Sequence, residues 1–309
     1  MSTAFITHPD CLKHEMGPHH PESPERLAAI LKHFQVSGLM QRLTRIEAPQ
    51  ATRAMLERAH NADYVARIFS ISPQSGYASL DPDTAMNPFS LDAALRAAGA
   101  VAEAVDRVMA GKVNSAFCAV RPCGHHATRD RSMGFCIFNN VAVGALHALE
   151  AHGLARVAIL DFDVHHGNGT EDIFHDDARV MLCSSFQHPY YPGSGTDSGN
   201  DHIIPTPLAA YTDGAHFRRA IEATWLPALE SFKPELVMVS AGFDAHADDP
   251  LAQLELHEDD YAWVTEKLCD IAGRFAQGRV VSVLEGGYDL TALAMSAQAH
   301  VEVLLRRGV

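Results

Sequence analysis

The feature that most constrains the fold is the alternation of short, β-branched apolar runs with longer segments of helical periodicity. Five apolar runs have the length and composition of buried strands: Ser115–Val120, Val157–Leu160, Val180–Cys183, Leu236–Ser240 and Val280–Leu284. Helical patterns lie before, between and after them, at Ser90–Ala110, Asn140–His152, Asp213–Ser231, Glu258–Ala276 and Leu290–Arg306. Strands that alternate with helices predict an α/β fold, in which helices cover both faces of a parallel sheet.

The segments between these elements do not have the composition of a linker. All 309 residues are therefore predicted to form a single domain, a length that α/β domains commonly reach. Residues 1–80 are predicted to form short helices and loops that pack on the α/β core.

Charge and cysteine content exclude several classes of protein. Lys and Arg number 24 against 38 Asp and Glu, and the net charge of −14 argues against nucleic-acid binding. No apolar stretch is long enough for a transmembrane helix and the first residues do not resemble a secretion signal, so we expect no membrane association and a cytoplasmic location. None of the six cysteines forms a C-x-x-C pair, which excludes a zinc ribbon. A homo-oligomer stays possible.

Polar segments follow four of the predicted strands directly. Cys123–His126 follows the first strand, Asp161–Gly169 the second, Gly242–Asp244 the fourth and Glu285–Tyr288 the fifth. Because ligands bind beyond the carboxyl ends of the strands in open α/β sheets, these four segments predict one site at a single edge of the sheet.

The second of these segments contains a chelating pattern, Asp163-x-His165. Residues two apart in an extended segment point to the same side, so both can reach one ion. A third ligand has to come from another segment, and Asp244 is the best candidate. Two carboxylates and one imidazole with an open position suit a catalytic Zn²⁺ or Fe²⁺.

The other segments carry groups that suit proton transfer. The adjacent His125 and His126 are poor co-ligands, but they suit acid–base work beside a metal because imidazole titrates near neutral pH. Tyr288, on a Gly-Gly turn, either donates a hydrogen bond to an oxyanion or only packs. The His19-His20 pair lies among prolines and is interpreted as loop structure.

With these residues identified, the sequence resembles the zinc-dependent histone deacetylases, especially the class II branch and the bacterial deacetylase-like amidohydrolases. The likeness covers nearly the whole chain. It includes His20-Pro21-Glu22 with Arg26 near the N-terminus, and it rests on six motifs in order: Arg121–Ala127, Gly134–Asn140, Leu160–Thr170, Tyr191–Gly195, Ser240–Asp244 and Leu284–Tyr288.

The resemblance implies an arginase/deacetylase fold with a central parallel sheet of about eight strands. It also implies roles for individual residues: zinc ligands Asp163, His165 and Asp244; a general base and acid His125 and His126, oriented by Asp161 and Asn168; a carbonyl-polarising phenol Tyr288; a substrate channel formed by Gly134, Phe135, Tyr191 and Leu251; and a structural K⁺ held by the side chains of Asp161 and Ser184 with carbonyls of Asp163, His165 and Ser185.

The implied activity is the hydrolytic removal of acetyl or other short acyl groups from the ε-amino group of lysine in proteins or peptides. An acetylpolyamine or a small-molecule amide is the alternative substrate. Leu251 stands where polyamine-selective relatives carry an acidic residue, which favours acyl-lysine. Cys123 stands where the family usually has Pro, and Cys136 lies in the next motif.

Two interpretations from other classes stay open. An arginase-like enzyme with two Mn²⁺ ions shares the fold, and Asp244-x-His246-x-Asp248 superficially permits it, although the tandem histidines and Tyr288 argue against it. A non-catalytic acyl-lysine reader would be expected to lack Tyr288 or a metal ligand, and this sequence has all of them.

Overall fold

A parallel sheet forms the centre of the protein, in a computed structural model that describes residues 2–307. The strands are β1 (Thr3–Thr7), β2 (Thr44–Glu47), β3 (Ala78–Ser79), β4 (Ala85–Met86), β5 (Ser115–Cys118), β6 (Val157–Asp161), β7 (Val180–Gln187), β8 (Ile203–Leu208), β9 (Leu236–Ala241) and β10 (Val280–Leu284). Eight of them form the parallel sheet in the order β2-β1-β5-β10-β9-β6-β7-β8, while β3 and β4 form a short antiparallel pair. The predicted α/β class and the strand number are confirmed.

Helices cover both faces of the sheet, since β5, β6, β9 and β10 are buried at every position. Within residues 2–307 the helices are α1 (Pro24–Val36), α2 (Arg53–Ala59), α3 (Ala62–Ile71), α4 (Ser90–Met109), α5 (Asn140–His152), α6 (Asn168–Phe174), α7 (Gly214–Phe232), α8 (Glu258–Phe275) and α9 (Leu290–Arg307). One group packs α4 against α5, and another packs α9 against both α1 and α8.

Local sequence fixes where α5 begins and ends. The Asn139 side chain accepts a 3.0 Å hydrogen bond from the Ala142 backbone N–H and so caps the first turn of α5. Gly153 ends the same helix in the left-handed conformation, with φ of 66°.

Across residues 2–307 no helix combines the length and the apolarity that crossing a membrane requires.

The prediction for residues 1–80 is wrong in one respect, because this segment supplies two strands of the sheet. β1 pairs with β5, with Thr3 opposite Ser115, and β2 pairs with β1 at the edge. β2 is mostly exposed and polar, so it has no apolar run by which a sequence pattern could reveal it. β8, the other edge strand, was also missed because it contains Pro205 and Pro207, which are tolerated at an edge but argue against a central strand.

The strand order brings the four polar segments together. β5, β10, β9 and β6 are adjacent in the sheet and parallel, so their carboxyl ends lie side by side. Asp161 at the end of β6 lies opposite Ser240 in β9, and Leu284 at the end of β10 lies opposite Ala241. The four segments therefore meet at one edge of the sheet, as the sequence pattern predicts.

Gly99 in α4 provides a test of how tightly this helix packs against the segment before α2. A Cβ at this position would lie 2.1 Å from the Pro49 carbonyl oxygen and 2.7 Å from the Ala51 nitrogen, and both are backbone atoms. We expect Gly99→Ala to lower the free energy of unfolding by about 1–3 kcal/mol, although Ala is the better helix former.

The control is Gly273→Ala in α8, where a Cβ would meet no atom within 4 Å. This substitution should raise the free energy of unfolding by roughly 0.5–1 kcal/mol, as the helix propensities predict. Urea unfolding of both variants measures the difference, and equal stabilisation of the two would contradict close packing at Gly99.

Candidate active site

Three potential metal ligands meet beyond β6 and β9. The Nδ1 atom of His165 lies 3.1 Å from Asp163 Oδ1 and 3.1 Å from Asp244 Oδ2. Burial lowers the pKa of His165, but the hydrogen bonds to the two carboxylates outweigh it and raise the pKa to about 10. The two buried carboxylates therefore require a positive charge at this point, which a proton or a metal ion can supply. The set of two oxygens and one nitrogen fits Zn²⁺.

The backbone holds these carboxylates in place. Gly286 N–H donates to Asp163 Oδ2 at 2.8 Å, and Val164 N–H donates to Asp244 Oδ1 at 2.8 Å. A Cβ at Gly286 would come within 2.1 Å of Asp244 Oδ2, and one at Gly242 within 2.1 Å of Asp163 Oδ2. Both glycines are therefore needed for space, which gives a physical reason for their position beside the ligands.

The two adjacent histidines each have their own acceptor. His125 Nδ1 lies 2.8 Å from Asp161 Oδ2, and His126 Nδ1 lies 2.7 Å from Asn168 Oδ1. Because both acceptors take the Nδ1 proton, the Nε2 atoms are the ones left for chemistry. The ring centroids are 4.0 Å apart, and His125 Nε2 is 3.8 Å from Asp163 Oδ1.

The surroundings give the two rings opposite pKa shifts. Burial lowers the pKa of His125, but the Asp161 and Asp163 carboxylates outweigh it and raise the pKa well above its usual value. Burial also lowers the pKa of His126, and the positive charge of His125 and His165 lowers it further. The neutral amide of Asn168 adds no negative charge beside His126. Two adjacent imidazoles thus acquire different charges, as acid–base pairs require.

Two side chains, Asp249 and Arg26, hold Tyr288 and its turn. Its backbone N–H donates to Asp249 Oδ2 at 2.7 Å, and the Arg26 guanidinium carbon lies 4.8 Å from the ring centroid. Arg26 also donates to the carbonyl oxygens of Gly287, at 2.6 Å, and Glu285, at 2.5 Å. With φ of 122°, Gly287 adopts a conformation that favours glycine and turns the chain toward the cavity.

Asp249 connects this turn with the wall of the cavity. Its Oδ2 accepts from the N–H groups of Tyr288 and Asp289, and its Oδ1 accepts from Leu251 N–H at 3.0 Å. Burial raises the pKa of Asp249 to about 7. One carboxylate therefore positions both a candidate catalytic residue and a candidate substrate contact.

A second buried carboxylate holds the histidine pair. Glu285 Oε2 accepts from Gly124 N–H at 2.6 Å and from His125 N–H at 3.1 Å, while its Oε1 accepts from the Ser240 hydroxyl at 3.1 Å. Burial raises the pKa of Glu285 to about 7. This residue fixes the backbone before His125 relative to β9.

Glu22 joins the N-terminal loop to the same network. Its carboxylate accepts from Arg121 Nε at 2.5 Å and Nη2 at 2.7 Å, and from Arg26 Nη1 at 3.1 Å. All three side chains are fully buried. The Arg26 that contacts Tyr288 is thus held by a paired charge in the protein interior.

A cavity of about 250 Å³ leads to these groups. His126, His165 and Tyr288 line it together with one carboxylate, Asp83. The remaining walls are apolar or aromatic: Gly134, Phe135, Tyr190, Tyr191 and Leu251. A Cβ at Gly134 would lie 2.4 Å from the His126 ring, so only glycine fits between the channel wall and that histidine.

The four predicted channel residues line this one cavity, and two of the five predicted potassium ligands, Asp161 and Ser184, lie on paired strands. Asp161 lies opposite Ser184 in the strand register, and Ser184 Oγ lies 2.9 Å from His166 Nδ1. Cys123 and Cys136 are both buried, and their sulfurs are 3.4 Å apart.

Sequence reasoning missed several residues at this site. Tyr190 stacks on His165, with ring centroids 5.8 Å apart, and its hydroxyl donates to the Leu251 carbonyl. The sequence also did not reveal Asp83 as a cavity residue, nor the hydrogen bonds by which Asp249 and Glu285 hold Tyr288 and His125. Asp249 had a local signal, because an Asp side chain often accepts from the backbone N–H two residues later. His20, interpreted as loop structure, packs edge-on against Phe135 at 4.7 Å.

Comparison with known proteins agrees with this geometry. The family model described as the histone deacetylase domain matches residues 20–304. The chain is 38% identical to a histone deacetylase-like amidohydrolase of Pseudomonas aeruginosa, over 98% of this chain and 86% of that protein. It is 36% identical to mouse polyamine deacetylase HDAC10, over 99% of this chain but 48% of the mouse protein.

Among solved structures, the crystal structure of the HDA15 HD domain superposes with a TM-score of 0.93 at 35% identity, covering 99% of this chain and 90% of that one. A family match over most of the chain and relatives of this identity leave one conclusion. The protein belongs to the histone deacetylase family and is a hydrolase of that family.

Proposed function

We propose that this protein is a zinc-dependent amidohydrolase that removes acetyl or other short acyl groups from the ε-amino group of lysine in proteins or peptides. The observation that carries the proposal is the floor of the cavity. There an O₂N set of metal ligands, two histidines with opposite pKa shifts and a tyrosine on a Gly-Gly turn lie beside one another.

The metal would be held by Asp163, His165 and Asp244, whose ligand atoms lie within 4.8 Å of one another. When bound, zinc supplies Lewis-acid chemistry: it polarises the substrate carbonyl and makes a water molecule more acidic. Asp161, Asp163, His165, Ser184 and Ser185 would hold a structural K⁺ nearby.

His126 would move the protons, and His125 would supply a positive charge beside it. His126 Nδ1–H donates a hydrogen bond to Asn168 Oδ1, so Nε2 is the atom that accepts a proton from the water that attacks the acyl carbon. His125 stays positively charged beside Asp161 and stabilises the negative charge that develops. As the C–N bond breaks, His126 returns its proton to the leaving nitrogen, and the products are a free amine and a carboxylate.

Tyr288 would stabilise the oxygen of the tetrahedral intermediate. Its hydroxyl donates to the substrate oxygen as that oxygen becomes an oxyanion, and a donor fixed in advance loses little free energy to reorganisation. The contacts of Arg26 and Asp249 with this turn keep the tyrosine in position before substrate binds.

The walls of the cavity favour a long aliphatic amine. Phe135, Tyr191 and Leu251 offer apolar surface to the methylene groups of an acyl-lysine side chain. The arginase-like alternative receives no support, because the side chain of Asp248 is 75% exposed and does not reach the ligands of the proposed zinc site. His246 Nδ1 accepts from the Asp248 N–H instead.

The first test is metal dependence. Dialysis against a chelator should abolish hydrolysis of an acetyl-lysine peptide, and Zn²⁺ or Fe²⁺ should restore it. Asp244→Ala should bind one ion fewer per chain, because the site has only three protein ligands. The exposed Asp248→Asn, from the same loop, is the matched control and should keep metal and activity. Full activity in Asp244→Ala, or two manganese ions per active chain, would exclude the proposal.

The second test concerns Tyr288 and its support. Tyr288→Phe should lower kcat by roughly 10²–10³ with the metal retained, since one oxyanion donor is lost. Asp249→Asn should also lower kcat, because an amide cannot accept from all the N–H groups that the carboxylate holds. In the double variant the second loss should be small, since both act through the phenol.

Asp289→Asn is the control for this cycle. It changes a carboxylate in the same turn, but Asn also caps the start of α9 well, so kcat should not change. Wild-type kcat in Tyr288→Phe would show that the phenol only packs, and fully additive losses would show that Asp249 acts independently of it.

The third test concerns the substrate. Leu251 places no charge at the cavity wall, so we expect a higher kcat/KM for acetyl-lysine peptides than for acetylspermidine or acetylputrescine. Leu251→Glu should shift the ratio toward the polyamines through charge attraction, whereas the neutral Leu251→Gln should not. A wild type that prefers acetylpolyamines would contradict this prediction. Asp83, the carboxylate in the cavity lining, would then be the residue that selects them, and Asp83→Asn should reduce that preference.

A further inference from the structure

Three side chains on helices α4 and α5 form a second convergent cluster, outside the active site. His147 Nε2 lies 2.8 Å from Asp106 Oδ1, and His152 Nε2 lies 2.7 Å from the same oxygen. The three potential ligand atoms all lie within 4.8 Å of one another. The proposed catalytic mechanism uses none of these residues.

The cluster has the features that the proposed zinc site shows without its ion. In both, histidine nitrogens and carboxylate oxygens face each other at hydrogen-bond distance, here at 2.7 and 2.8 Å and there at 3.1 Å. Two imidazoles and one carboxylate also form a donor set that late first-row divalent metals prefer.

The surroundings permit an ion to enter and to be held. His147 is buried, with 8% of its side chain exposed, while the Asp106 side chain is 48% exposed and leaves the open side to water. His152, on the other side of the same carboxylate oxygen, has 24% of its side chain exposed.

We propose that Asp106, His147 and His152 form a second binding site for a divalent late transition metal such as Zn²⁺, which links α4 to the end of α5. The ion takes the place of the two Nε2 protons that now point at Asp106 Oδ1. A water molecule completes the coordination on the exposed side.

Arg58, which lies beside His147, should affect how tightly this site binds a metal ion. Arg58 Nη1 lies 3.3 Å from His147 Nδ1 and can only donate, so in the metal-free protein the His147 proton sits on Nε2. Metal at Nε2 moves that proton to Nδ1, where Arg58 offers no acceptor. Arg58 therefore opposes metal binding and has to swing away, which its exposed position allows.

The test is zinc stoichiometry by equilibrium dialysis of the full chain, with metal analysis. The wild type should bind two ions per chain, and His152→Gln should bind one while keeping its hydrolytic activity. Asp244→Ala should also bind one, which separates this site from the proposed catalytic site. The control is His257→Gln, which changes another group of potential ligands, His246, His257 and Glu258. There His246 Nδ1 already accepts the Asp248 N–H, so this variant should still bind two ions.

Arg58→Gln should change the zinc affinity in a way that an effect on the folding of the two helices would not. The amide oxygen of the new Gln can accept a hydrogen bond from His147 Nδ1–H. The second ion should then bind about tenfold more tightly, because an acceptor behind a metal-bound histidine raises metal affinity. Zinc should raise the melting temperature of Asp244→Ala by a few degrees, and His152→Gln combined with Asp244→Ala should lose that shift.

A wild type that binds only one ion would overturn the proposal. So would a second ion that persists in His152→Gln, or one that disappears in His257→Gln instead. These outcomes do not depend on catalysis, because the zinc count of Asp244→Ala reports on this cluster alone.

Discussion

Two like charges held together in the protein interior determine the rest of this structure. Asp163 and Asp244 are fully buried and both face the same nitrogen of His165. Such a pair is costly unless a cation and N–H donors compensate it. The N–H groups come from Val164 and Gly286, and the glycines beside the pair leave the space it needs. The order of strands around β6, β9 and β10 serves to bring these groups to one point.

A second level of carboxylates supports the first. Asp249 and Glu285 accept hydrogen bonds from the backbone N–H groups of Tyr288 and His125. Glu22 accepts from Arg26, which contacts the Tyr288 ring. Glu285 fixes the backbone of the histidine pair, and Asp249 fixes the tyrosine turn. The geometry of the reacting groups is therefore set by neighbours with fixed positions, which is how a site keeps its donors aligned without substrate.

The sequence alone predicts the central strands and the residues at their ends well, because buried parallel strands are apolar throughout and the polar segments after them are distinctive. It fails at β2 and β8, whose exposed or proline-containing residues lack that pattern. It also fails for the contacts of Asp249 with Tyr288 and of Glu285 with His125, because these partners are backbone N–H groups far away in the sequence and carry no sequence signal. The Asp163, His165 and Asp244 set could be inferred, since residue type and placement after strands both point to it.

The place of β10 in the sheet has a consequence for how the protein is made. Among the strands of residues 2–307 this one comes last in the sequence, yet it lies between β5 and β9 in the middle of the sheet. Every earlier strand leaves the ribosome while this central position is still empty, so long-range pairing completes the fold late. The turn after β10 carries Gly286 and Tyr288, so the donor to Asp163 and the phenol arrive together with the closing strand. A nascent chain thus gains its core and its chemistry in the same step.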